Sequence, residues 1–107
     1  MPRPESQILH DIERFQPANG NWLGLDALLG ELWQHTPRRW WVTPLLGVFE
    51  RFPDDDGAGV FWSIVHGLED IEGYEPILRD SHRGTPCEFK HVMLIRIENA
   101  EKSQQGV

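Results

Sequence analysis

Apolar residues recur along this chain at the spacing of amphipathic helices, and no segment alternates in the manner of a strand. Ile8, Leu9, Ile12 and Phe15 form the first stripe, with Ser6 placed to cap its start. Pro17 and the Asn19-Gly20-Asn21 cluster end it. Leu25, Leu28, Leu29 and Leu32 form the second, starting near Trp22 or Leu23 behind an Asn21 cap and stopping before Thr36-Pro37. Thr43 followed by Pro44 predicts the N-cap and first position of a third helix, carrying Leu45, Val48, Phe49 and Phe52.

Asp54-Asp55-Asp56-Gly57-Ala58-Gly59 reads as a loop feeding a fourth helix from about Ala58 to Ile71, with Phe61, Ile64, Val65 and Leu68 inward. Its three acids suit the positive end of the helix dipole. Gly73 breaks the chain before a short helix over Tyr74–Ser81. Thr85-Pro86-Cys87-Glu88 then supplies the cap, first-turn proline and glutamate of a capping box. The sixth helix, from Pro86 to Ala100, repeats Phe89, Val92, Met93 and Ile97 on one face and is expected to be sandwiched between neighbours. The expectation is an all-α fold of five to six short helices, stacked as antiparallel hairpins in one domain over residues 1–107, with residues 101–107 a frayed tail.

Composition narrows the function. Ten Lys+Arg against 17 Asp+Glu give a net charge of -7, opposite to the basic footprint of a nucleic-acid binder. A cationic partner suits that balance. No apolar run is long enough to span a bilayer, and the N-terminus lacks a signal-peptide core, so a cytoplasmic protein is expected. The single cysteine, Cys87, excludes an internal disulfide and a cysteine-rich metal cluster.

Candidate chemistry is sparse. Asp54, Asp56 and Gly59 imitate the start of a calcium loop, but Ala58 stands where an oxygen ligand belongs and Val65 where a bidentate glutamate is required. The histidines at 10, 35, 66, 82 and 91 lack zinc-site spacing, so no metal or cofactor is expected. Cys87 in a first turn reads as small filler, and no phosphate loop or nucleophile elbow is present. No enzyme is expected, although a small one using His66 and Glu69 would need a deep pocket around both.

On the fourth helix Trp62, His66 and Glu69 project along one flank beside the core stripe. They read either as a contact strip with an aromatic anchor or as boundary residues packed under a neighbour. Asp54, Asp55 and Asp56 at one end, and Glu69, Asp70, Glu72 and Glu75 at the other, bracket a face about 20 Å long for a 14-residue helix. Arg96 projects toward the interior of the sixth helix and calls for a carboxylate such as Glu69 or Glu50. Five tryptophans, Trp22, Trp33, Trp40, Trp41 and Trp62, make an exposed aromatic anchor plausible.

The stretch Gly59-Val60-Phe61-Trp62-Ser63-Ile64-Val65-His66-Gly67-Leu68-Glu69, then Gly73-Tyr74-Glu75-Pro76-Ile77-Leu78, Ser81, Arg83 and Thr85-Pro86-Cys87-Glu88-Phe89, resembles small HEAT-like helical immunity proteins of bacterial polymorphic and contact-dependent toxin systems. The resemblance spans about residues 44–98, and Cys87 departs from it, standing where a small hydroxyl residue is expected. It implies stoichiometric inhibition of a cognate toxin with a basic surface, without chemistry. A cytoplasmic inhibitor in turn implies a toxin with a cytoplasmic target, a nuclease being the leading class. The expected contact residues are Asp54, Asp55, Asp56, Trp62, His66, Glu69, Glu72 and Glu75. The alternative is a non-catalytic helical adaptor or regulatory subunit. Neither reading involves direct nucleic-acid or membrane binding.

Overall fold

The computed structural model describes residues 3–105, with side chains described as far as Lys102. Six helices follow one another: α1 Glu5–Arg14, α2 Leu23–Leu32, α3 Val42–Arg51, α4 Val60–Glu69, α5 Tyr74–Gly84 and α6 Glu88–Gln105. The fold is all-α, as the periodicity predicts; the described residues form no strand, only an isolated bridge between Ala18 and Asn21.

Sequential helices pack as pairs, α1 with α2, α3 with α4, and α5 with α6. Odd-numbered helices also touch in order, α1 to α3 to α5, and so do even-numbered ones, α2 to α4 to α6. The result is a stack of three hairpins in two layers. Each helix buries its apolar stripe against its hairpin partner and against the neighbouring hairpin, so each pair covers the next.

The core draws on every helix. Ile8, Leu9 and Ile12 meet Leu25, Leu29 and Leu32; the central layer adds Leu45, Leu46, Val48, Phe49, Phe61, Ile64, Val65 and Leu68; Leu78, Phe89, Met93 and Ile97 close the far end. Aromatic rings join the pairs. Trp22 meets Phe61 edge-on at 5.3 Å, Phe61 meets Phe89 edge-on at 5.4 Å, and Phe89 stacks on Phe49 at 5.1 Å.

Several local expectations need correction. Thr43 is not an N-cap: α3 begins at Val42, continuing from a 3-10 turn over Arg39–Trp41. Pro44 then falls in the first turn, where its missing N–H costs nothing because that donor has no intrahelical acceptor. Ala58 does not begin α4. It sits at φ 53 between Gly57 at φ 60 and Gly59 at φ 91, and the helix starts two residues later, at Val60. Thr85 ends α5 rather than capping α6, its N–H donating to the Ser81 carbonyl at 2.9 Å. The predicted tail is helical to Gln105, while Gly106 and Val107 lie outside the described residues. Nor is α6 sandwiched all round, since Ile95 is 41% exposed.

Two charged clusters fix the stack. Arg3 donates to both oxygens of Glu31, at 3.0 and 2.8 Å, and to Asp11 at 2.7 Å, tying the N-terminal segment to α1 and α2. That fork holds the Glu31 carboxyl below its ordinary value, because the bonds favour the charged form. At the other end Lys90 has no exposed surface. Its ammonium donates to Glu50 at 2.5 Å, to the Thr85 carbonyl at 2.7 Å and to the Ser81 carbonyl at 3.3 Å. Three protons meet three acceptors, which is how a buried ammonium is tolerated.

Candidate functional site

The loop before α4 is built by its own acids. Asp55 Oδ1 accepts from the backbone N–H groups of Asp56 and Gly57, at 2.8 and 3.0 Å. Asp56 Oδ1 accepts from the Ala58 N–H at 3.0 Å, and its carbonyl accepts from Gly59 and Phe61. These bonds hold three successive residues in the left-handed region. Gly57 is irreplaceable there, because a Cβ would lie 2.6 Å from the Phe61 ring. Asp55 and Asp56 thus shape the loop while their carboxylates stay exposed, and Asp54 takes no part in that network. With Pro53, Glu88 and Phe89 the three acids line an open hollow of about 480 Å³.

Trp62 follows on the first turn of α4. It is 40% exposed, so its ring is neither core nor free. One edge packs on Phe89 at 5.6 Å, and the Arg96 guanidinium lies 5.9 Å from its centroid. Arg96 in turn grips Glu69 with both nitrogens, Nε to Oε2 at 2.7 Å and the second to Oε1 at 2.8 Å. That fork raises the Arg96 pKa and keeps its charge fixed. Of the two carboxylates expected as partners the structure uses Glu69 rather than Glu50, and the expected interior placement is wrong: Arg96 is 41% exposed, because α6 meets α4 on the side of Phe89, Met93 and Ile97. Beyond it Glu69, Tyr74, Glu75, Arg96 and Glu101 surround a second hollow of about 330 Å³. Burial, and then the charges of Glu69 and Glu75, push the Tyr74 phenol up.

A strip therefore runs from Asp54–Asp56 over Phe89 and Trp62 to Arg96, Glu69 and Glu75. It brings together six of the eight expected contact residues. With α4 at ten residues the acids bracket about 15 Å of helix rather than 20 Å. Glu72 and His66 belong elsewhere. Glu72 is exposed in the α4–α5 turn, where its carbonyl accepts from Arg39 Nε at 3.5 Å. His66 is exposed, its ring 6.4 Å from Trp62, and lines a cleft with Trp33, Pro37, Trp41, Ser63, Gly67 and Asp70. Glu69 lines the hollow beside Tyr74 instead, so His66 and Glu69 face different clefts rather than the common one an acid–base pair would need.

Sequence reasoning missed Glu88, which joins the acidic hollow, and Lys90, the one charged side chain fully buried among the described residues. Glu88 was read as a capping group; a lysine beside a buried phenylalanine leaves no mark in a hydropathy pattern. Among the described residues no three His, Cys, Asp or Glu side chains cluster as a metal site would require, and no helix is long and apolar enough to cross a membrane.

Compared with protein-family models, with curated proteins and with solved structures, the chain gives no match.

Proposed function

We propose that this chain is an immunity protein: it binds and neutralises a cognate bacterial toxin acting in the cytoplasm, with a nuclease the leading candidate. Binding is stoichiometric, and the strip along α4 and α6 covers the toxin's active site or an adjacent basic surface. The observation that carries the reading is Trp62, 40% exposed and braced by Phe89 and Arg96 between two acidic hollows. A large aromatic at the centre with charges at the rim is the distribution that concentrates binding energy and speeds association. A nuclease suits the partner role because its substrate groove is basic, and the chain's net charge of -7 complements it.

Co-expression with the adjacent reading frame tests the function. Rescue of growth together with co-purification supports it; a harmless partner that co-purifies turns the reading into that of an adaptor. The surface is tested by reversing Asp54 and Glu75 to Lys while changing Asp55 and Asp56 to Asn, which keeps the oxygen the loop requires. Association should slow by about tenfold or more at low salt, and the gap should narrow at moderate salt. Unchanged rates at both salts would remove the electrostatic part of the proposal.

A further inference from the structure

The side of α4 next to that strip carries a different feature. Ser63, His66, Gly67 and Asp70 recur at i, i+3, i+4 and i+7, and so lie along one helical face. Trp33, Pro37 and Trp41 stand across from them, leaving an open cleft of about 370 Å³. The two indoles are 6.3 Å apart and tilted by 40°. Trp41 is fully buried, and Trp33 half-buried. Residue 67 sets the position of Trp33, since a Cβ there would lie 2.2 Å from Trp33 Cη2. The ring rests directly on the α4 backbone, and a glycine in mid-helix, unfavourable by about 1 kcal/mol, makes room for it.

The lining is chemically one-sided. It holds the half-buried Trp33 ring, backed by the fully buried Trp41, with the Ser63 hydroxyl, the His66 imidazole and one carboxylate, Asp70, and no lysine or arginine. Arg39, in the link that carries Trp41, is turned instead to the α4–α5 turn, over Gly73 and the Glu72 carbonyl. An aromatic face beside a carboxylate favours a cation. A guanidinium fits better than an ammonium, because it is flat, stacks on indole and donates a planar fork to a carboxylate.

We propose that this cleft is a socket for an arginine side chain presented by a partner protein. Its biological role rests on the partner reading above, but guanidinium binding is a property of the isolated protein and is tested on it. The full chain, labelled with nitrogen-15, is titrated with N-acetyl-arginine amide and, separately, with N-acetyl-citrulline amide, which has the same shape without the charge. The arginine probe should shift the indole N–H signals of Trp33 and Trp41 and the amides of Ser63 to Asp70, with a millimolar dissociation constant, and the citrulline probe should not. Asp70→Asn should weaken binding about two- to fivefold, as loss of one solvent-exposed charge contact does. Glu98→Gln, which removes an exposed carboxylate on α6 away from the cleft, should leave it unchanged. Equal shifts from both probes, shifts centred on Asp54 to Asp56, or an unaltered constant in Asp70→Asn would each overturn the socket. Arginine binding without any toxin rescue would keep the socket and remove the immunity reading; rescue without arginine binding would do the reverse.

Discussion

Removing Glu50 should harm this protein more than removing Lys90, although Lys90 is the fully buried partner. Their 2.5 Å contact corresponds to roughly 7 kcal/mol of attraction at an effective dielectric of about 20. Desolvating the ammonium offsets several kcal/mol of that. Glu50→Ala keeps the desolvation penalty and deletes the attraction, leaving a cation with only the Thr85 and Ser81 carbonyls. Breaking a fully buried pair in this way costs about 3–5 kcal/mol. The Glu50 side chain is 35% exposed, so water enters and about 2–3 kcal/mol is expected. Lys90→Met removes charge and penalty together and keeps an apolar stem in place. Glu50 then turns to solvent, and the Ser81 carbonyl retains its bond from the Thr85 N–H. Only the Thr85 carbonyl loses a partner, at about 1 kcal/mol. For a domain of this size each kcal/mol moves the melting temperature by about 4–8 °C. Glu50→Ala should therefore melt roughly 10–15 °C lower and Lys90→Met about 5 °C lower, with the double variant close to Lys90→Met. Thermal and urea unfolding followed by circular dichroism measure all three. A Lys90→Met loss equal to or larger than that of Glu50→Ala would refute the reasoning, since it would make the ammonium a net stabiliser on its own.

Two glycine substitutions in helices should act in opposite directions. At Gly47 nothing lies within 4 Å of an added Cβ, so Gly47→Ala should raise stability by about 0.5–1 kcal/mol in urea unfolding. Gly67→Ala should lower it by about 1–3 kcal/mol and redden the tryptophan emission as Trp33 is expelled; an unchanged spectrum would sink that placement. The Arg3 clamp predicts an acid dependence. Glu31 is depressed in the folded state, so its contribution is complete above the ordinary value of 4.5 and is lost as pH falls through the lower folded value. The urea midpoints of the natural chain and Arg3→Gln should differ at pH 7 and converge below pH 4.5; a constant gap to pH 3 would count against the clamp.

The stripes that read clearly in the sequence, such as Phe61, Ile64, Val65 and Leu68, are the ones the core uses, because burial follows the helical period whatever the neighbours are. The element starts were less legible. Thr43-Pro44 and Thr85-Pro86 carry capping chemistry, yet tertiary packing let α3 begin at Val42 and kept Thr85 for the end of α5. The acidic loop was visible as a loop, while its left-handed Ala58 was not, since only the Asp55 and Asp56 bonds make that conformation tolerable. Trp62 was legible as a flank residue. Whether that flank faced solvent depended on how α6 crosses α4, which Phe89, Met93 and Ile97 decide from 27 or more positions away.

The Phe89 ring touches Phe49, Phe61 and Trp62, and Phe61 passes the contact on to Trp22. A modular array melts by shedding units from its ends. Here the terminal unit supplies the keystone of the middle one, so peeling it away would open the interior of everything else. The three hairpins should consequently live or die as one thermodynamic body, with no half-melted intermediate for a protease to find.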